Sequence, residues 1–167
     1  MIQVYTGNGK GKTTAALGLA LRSSGAGFKV YIGQFAKGCC YHEVKALKKI
    51  GNIKLEQFGR SCFIKRSPDK IDLQLAAAGL KRCFEVVKSR KYRLVILDEI
   101  NIAVKLKLIS LSDLLKLIKL APKSMELVLT GRWAHPQVIK VADLVSQIKD
   151  VKHYYVHGLK ARRGIEF

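Results

Sequence analysis

The sequence predicts an α/β fold, a mostly parallel sheet flanked by helices, and three observations carry that prediction. Short apolar runs alternate with longer stretches of helical periodicity along the chain, the pattern of repeated strand–helix units. Leu94-Val95-Ile96-Leu97 is continuously apolar, as in a strand buried on both faces. The chain also opens as strand, glycine-rich loop and helix: Ile2-Gln3-Val4-Tyr5, then Thr6 to Thr14, then Ala15 to Leu21. With 167 residues, one domain spanning 1–167 is expected. A domain of that length buries roughly 70% of its unfolded surface, enough for a real core.

The elements follow in order. Gly25 and Gly27 stop the first helix. Phe28 to Phe35 reads as the second strand, Glu43 to Ile50 as a short basic helix, and Ile53 to Phe58 as an alternating third strand. Gly59 to Pro68 is a basic loop. A long helix runs from Asp69, a plausible N-cap, to Arg90. After the apolar strand at 94–97, Ser112 is placed to cap a helix ending at Leu120. Met125 to Leu129 is the next strand, and Pro136 suits the first turn of another helix. Asp143 to Ile148 and His153 to Val156 read as closing strands.

Composition narrows the class. No apolar run reaches the roughly 18–20 residues needed to span a bilayer. No signal peptide precedes Ile2, so the expected setting is cytoplasmic. The four cysteines, Cys39, Cys40, Cys62 and Cys83, form no C-x-x-C pair, which argues for reduced thiols over structural zinc. The formal charge is +19, from 31 Lys and Arg against 12 Asp and Glu. That charge attracts polyanions, but it is spread along the chain as a general basic surface rather than gathered into an arm.

Two segments carry the chemistry. Thr6-Gly7-Asn8-Gly9-Lys10-Gly11-Lys12-Thr13-Thr14 has the context of a phosphate-binding P-loop, with Thr6 where the usual pattern has its first glycine. Its backbone N–H groups and the helix N-terminus suit phosphate oxygens, Lys12 brings an ammonium, and Thr13 can place a hydroxyl on magnesium. Leu94-Val95-Ile96-Leu97-Asp98-Glu99 has the form of a strand that delivers carboxylates to the sheet edge where such folds bind ligands. Asp98 or Glu99, with Thr13, is the expected metal set, because magnesium takes oxygen ligands. Together the two segments specify a P-loop NTPase-like, RecA-like sheet. Asn101 can reach nucleotide or metal, or serve loop hydrogen bonding. Arg132, after the strand Leu127-Val128-Leu129-Thr130, can hold a phosphate or make a surface salt bridge.

These residues resemble the P-loop ATP:corrinoid adenosyltransferases, the cob(I)yrinic acid a,c-diamide adenosyltransferase family. The likeness runs from Val4 to Thr14, through Gln34-Phe35, Lys37-Gly38 and Leu97-Asp98-Glu99-Ile100-Asn101. It continues through Thr130-Gly131-Arg132, Ala142-Asp143-Leu144-Val145 and Lys152-His153 to Gly158–Glu166. Thr6 in the P-loop is itself typical of the family. The resemblance implies attack by Co(I) of a reduced corrinoid on C5′ of ATP, with triphosphate leaving and ATP reversed in the loop. It implies ATP and corrinoid as substrates and magnesium as the metal. Gly7, Asn8, Gly9, Lys10, Gly11, Lys12, Thr13, Thr14, Asn101 and Arg132 would then bind nucleotide, with Lys12, Thr13 and Arg132 catalytic. Better-known relatives have an N-terminal covering segment, whereas this chain begins at its first strand, so a lid is expected from elsewhere. They also carry a Gly-x-Gly-Phe-x-Trp segment. Here Phe63 fits the aromatic position, as corrinoid contact or core packing, and Lys65 stands in place of Trp. Trp133, the one tryptophan, can touch ligand or lie on the surface. His42 and His153 have no role derivable from sequence.

The resemblance further implies a homodimer, no nucleic acid and no membrane. From charge, an acidic flavodoxin-like reductant is an expected partner. A nucleic-acid-stimulated RecA-like ATPase is the alternative, although aromatic platforms interleaved with Lys and Arg are sparse. A non-catalytic nucleotide-binding protein is a third.

Overall fold

The computed structural model describes residues 1–38, 41–60 and 67–166. Six strands form one all-parallel sheet in the order β3-β2-β4-β5-β1-β6. They are β1 (Ile2–Thr6), β2 (Val30–Phe35), β3 (Ile53–Phe58), β4 (Leu94–Asp98), β5 (Glu126–Thr130) and β6 (Leu144–Gln147). The helices are α1 (Lys12–Gly25), α2 (His42–Leu47), α3 (Lys70–Ser89), α4 (Ile100–Lys105), α5 (Leu111–Leu120) and α6 (Pro136–Val141). The chain crosses from β1 past β5 and β4 to reach β2, then returns through β4 and β5 and sets β6 beyond β1. The carboxyl ends of β1, β4 and β5 therefore open onto one crevice, where parallel sheets take ligands.

Strand alternation builds two cores. Tyr31, Phe35, Val95, Leu97, Leu127 and Leu129 point to the face covered by α3 and α5, against Ala76, Leu80, Cys83, Leu114 and Leu117. Val30, Ile32, Leu94, Ile96 and Val128 point to the other face, against Ala16, Leu17 and Ala20 of α1 and Leu47 of α2. Both faces of β4 are buried, which is why its sequence is apolar without interruption. Each such side chain contributes about 1.5–3 kcal/mol by leaving water.

Several elements differ from expectation for local reasons. β2 begins at Val30, because Phe28 still belongs to the helix-ending turn, its N–H donating to the Ser23 carbonyl. Ser110, not Ser112, caps α5: its hydroxyl accepts from the Asp113 N–H at 3.1 Å. Asp69 caps α3 as expected, in a reciprocal capping box with Asp72. The short helix α4 lies where the sequence pattern assigns no element. It starts from Glu99 in a left-handed conformation (φ 60°), which no sequence signal announces. The expected strand at 153–156 is instead a 3-10 helix, Tyr154–His157, because the His153 Nδ1 accepts from the Tyr155 N–H and folds the chain locally. No described helix is long and apolar enough to cross a membrane.

Candidate functional site

The P-loop sits on β1 and turns directly into α1. Gly11, at φ 118°, starts the helix, and no side chain caps it. The first-turn N–H groups are thus left to serve an anion, reinforced by the helix dipole. The loop's outer side is stitched to the chain after β6: the Gly9 N–H donates to the Ile148 carbonyl at 2.9 Å. Gly7 is required there, since it has φ 95° and a Cβ would stand 2.2 Å from the Ile148 oxygen. Thr6, in the first-glycine position, accepts from the Ala134 N–H at 3.3 Å, tying the loop to the segment after β5.

Beneath the loop lies a buried hydrogen-bond network centred on Asp98, which is 0% exposed. Its Oδ1 accepts from Thr13 Oγ1 (2.9 Å) and Thr130 Oγ1 (2.6 Å), and its Oδ2 accepts from Gln34 Nε2 (3.1 Å). Gln57 Nε2 in turn donates to Gln34 Oε1 at 3.0 Å. Donors from β2, β5 and α1 converge because β4 lies between β2 and β5 in the sheet. Three donors on one buried carboxyl fix its position and orientation.

Glu99 is different. Its backbone is in the left-handed region, and its Oε2 is buried with no hydrogen-bond partner among the described residues. Burial, then the charge of Asp98, push its carboxyl up to about 7, against the pull of Lys37, Lys12 and Arg132. Lys12 Nζ, nearly buried, donates to the Gly9 carbonyl at 2.6 Å. Burial lowers its pKa, the largest influence on it, while Glu99 acts in the opposite sense.

A cavity of about 960 Å³ joins these groups. Asn8, Gly9, Lys10, Gly11, Lys12, Thr13, Thr14, Glu99 and Arg132 all border it; Trp133, 54% exposed, does too. Its apolar wall includes Leu17, Leu21, Ile102 and Leu106. Other expected residues lie elsewhere. Gly7 borders a smaller adjoining depression. Asp98 is under the floor. Asn101 is also buried, its Nδ2 donating to the Gly131 carbonyl at 3.4 Å, and it does not border the cavity. Lys10 does border the cavity, but its ammonium is taken up by Glu166 (2.7 Å) and Tyr154 (2.9 Å). Phe63 falls outside the described residues.

Sequence reasoning left parts of the wall unassigned. Asp150, His153, Gly164, Ile165 and Glu166 border the cavity from the C-terminal side, and Lys37, Tyr41, His42 and Glu43 from beyond β2. The C-terminal segment is held by side chains. Glu166 takes Lys10, Tyr154 and Arg162 together, which hold its carboxyl well below the usual carboxylate range. The run Gly158–Glu166 and the pair Lys37-Gly38 enter the sequence reading only as shared motifs, without a role.

Comparison with known proteins identifies the family. The model of the family described as ATP:corrinoid adenosyltransferase BtuR/CobO/CobP matches residues 1–167. The chain is 33% identical to a corrinoid adenosyltransferase of Escherichia coli K12, covering 100% of this chain and 85% of the relative. A Pseudomonas aeruginosa protein of the same name is 31% identical, covering 100% of this chain and 83% of its own length. Among solved structures, a KaiC-like protein of Pyrococcus horikoshii superimposes with a TM-score of 0.58 over 90% of this chain and 73% of its own, at 16% identity. That likeness shows the fold alone.

Proposed function

Because the chain belongs to the ATP:corrinoid adenosyltransferase family, we propose that it moves the 5′-deoxyadenosyl group of ATP to Co(I) of a reduced corrinoid. The electron pair of Co(I) forms the cobalt–carbon bond as the C5′–oxygen bond breaks, and that bond's electrons leave on triphosphate. The finer reading takes cob(I)yrinic acid a,c-diamide as the corrinoid. The observation that supports the reading most is one cavity bordered by the P-loop residues on one wall and by apolar side chains on the other. Such a cavity accommodates a triphosphate beside the flat face of a macrocycle.

The nucleophile is the substrate's metal, so the protein's share is placement and stabilisation of the leaving group. The first-turn N–H groups of α1 and Lys12 take phosphate oxygens. Arg132, exposed at the mouth, takes a further one. The apolar wall of Leu17, Leu21, Ile102 and Leu106, with Trp133 at the mouth, offers apolar surface to the corrinoid ring. Magnesium fits the oxygen set here: Thr13 Oγ1, the Asp98 carboxylate it touches, and the buried, unpartnered Oε2 of Glu99. When bound, that ion supplies charge neutralisation at the phosphates. The basic surface, at +19, favours an acidic reductant.

The test is anaerobic. Protein, ATP, magnesium and chemically reduced cobinamide are mixed, the visible spectrum is followed and the phosphate product identified. A light-sensitive alkylcobalt spectrum with triphosphate release is expected. An unchanged corrinoid, with orthophosphate released on adding nucleic acid, discards the transferase for an ATPase.

A further inference from the structure

Of the cavity-lining lysines, Lys12 has a task in the mechanism above and Lys10 is taken up by Glu166 and Tyr154; Lys37 has neither, and the fold goes to some length to put it there. β2 ends at Phe35, and the next residue, Ala36, is held at φ 53°, a conformation that a residue with a Cβ adopts only under constraint. The following backbone is pressed against the chain after β3. A Cβ on Gly38 would stand 2.3 Å from the Gly59 oxygen and 2.4 Å from the Arg60 oxygen, so the two backbones pack there without room for a side chain. The turn carries Lys37 inward until it is 5% exposed.

A buried ammonium is costly unless its donors are used. Among the described residues the sole ion-pair partner of Lys37 is Glu43, at a loose 3.6 Å. Its Nζ also stands 4.4 Å above the Tyr41 ring. No hydrogen bond from Nζ to a described residue accounts for its three N–H groups, and the side chain borders the cavity. Across that cavity, Lys12 and Arg132 act with Lys37 on the same carboxylate, Glu99. The three cations therefore share one region of the cavity, with Lys37 on the β2 side and Lys12 and Arg132 on the β1 and β5 side.

We infer that Lys37 is a further anion-binding residue of this site, which takes phosphate oxygens of the triphosphate from the side opposite Lys12. The inference rests on the transferase reading for its consequence, leaving-group stabilisation, but not for the binding itself. Two flanking cations hold a polyphosphate better than one, and most strongly once the C5′–oxygen bond has broken and the leaving group carries its full charge.

The test compares wild type with Lys37→Met, Lys37→Arg and Glu43→Gln. Binding of inorganic triphosphate is measured by calorimetry. Steady-state kinetics use ATP and reduced cobinamide, whose side chains end in amides. Lys37→Met is expected to bind triphosphate about tenfold more weakly or worse and to lose kcat, with KM for cobinamide unchanged. Lys37→Arg should retain most of both. Glu43→Gln, which removes the lysine's internal partner, should bind triphosphate at wild-type strength or tighter. Wild-type triphosphate affinity in Lys37→Met overturns the inference. So does a loss confined to the KM for cobinamide, which would give the cation to the corrinoid, or equal losses in Glu43→Gln and Lys37→Met, which would make the pair structural. If Lys37→Met does not fold, Lys37→Arg and Glu43→Gln decide the matter. If wild type makes no alkylcobalt product, the transferase reading fails, and the calorimetry still judges Lys37.

Discussion

The floor and the C-terminal wall of the cavity are held by opposite means. The floor is Asp98, wholly buried, on a strand flanked by strands on both sides and fixed by donors from β2, β5 and α1. The wall is residues 149–166, largely exposed and without a strand, held by Glu166 clasping Lys10, Tyr154 and Arg162. Buried hydrogen bonds to a carboxylate resist salt and water, whereas exposed ion pairs are screened and contribute little each. The floor is thus expected to be stiff and the wall adjustable.

Lys12→Ala should have the largest effect and lies at the junction of the two regions. ATP-dependent adenosylation is expected to fall by about 10²-fold or more while the thermal melt stays cooperative. Near-normal turnover would remove the P-loop lysine from the chemistry. Asp98→Ala comes next and breaks the floor. It leaves the donors Gln34, Thr13 and Thr130 without their acceptor, and urea titration should show a loss of about 2–4 kcal/mol. A loss no greater than that of an exposed substitution would show that the floor is not the rigid part.

Glu99 sharpens the comparison through pH. Its folded carboxyl, at about 7, lies above the unfolded value of 4.5, so the folded protein binds the extra proton between those limits. The stability this group contributes is therefore present in full below about pH 4.5 and is lost as pH rises through 7. In chelator-treated protein, Glu99→Gln should raise the melting temperature more at pH 8 than at pH 5. An equal shift at both values would show that the carboxyl is not the group responsible. Glu166→Gln should have the smallest effect. The KM for ATP is expected to rise about threefold, with the difference from wild type shrinking in high salt as screening weakens the intact pair. A salt-independent loss as large as that of Asp98→Ala would erase the contrast between wall and floor.

Sequence showed the floor more clearly than the wall, for a physical reason. The strand Leu94 to Asp98 and the loop Thr6 to Thr14 are local devices whose backbone geometry requires particular residues at fixed spacing. They could be read before any contact was known. The helix at Ile100–Lys105 was missed because it is six residues long and begins at a left-handed Glu99. The strand expected at 153–156 failed because Tyr154, Tyr155 and Val156 have strand propensity, while the His153 side chain closes a tighter turn. Asn101 was expected at the ligand, yet it lies under Gly131, since α4 turns it away from the cavity and into the interior.

By itself, then, the sequence determined the parallel α/β sheet, the phosphate loop on β1, the carboxylates at the end of β4 and the family. The first three follow from hydrophobic period and short spacing, the family from its resemblance in a series of ordered motifs. Only the tertiary structure decided which residues face the cavity. It tied Lys10 to Glu166 across 156 positions of chain, brought Gln34 to Asp98 across 64, and drew Lys37 inward on a strained turn. Contacts between residues so far apart depend on strand order and on the close approach of backbones, and no local pattern encodes either.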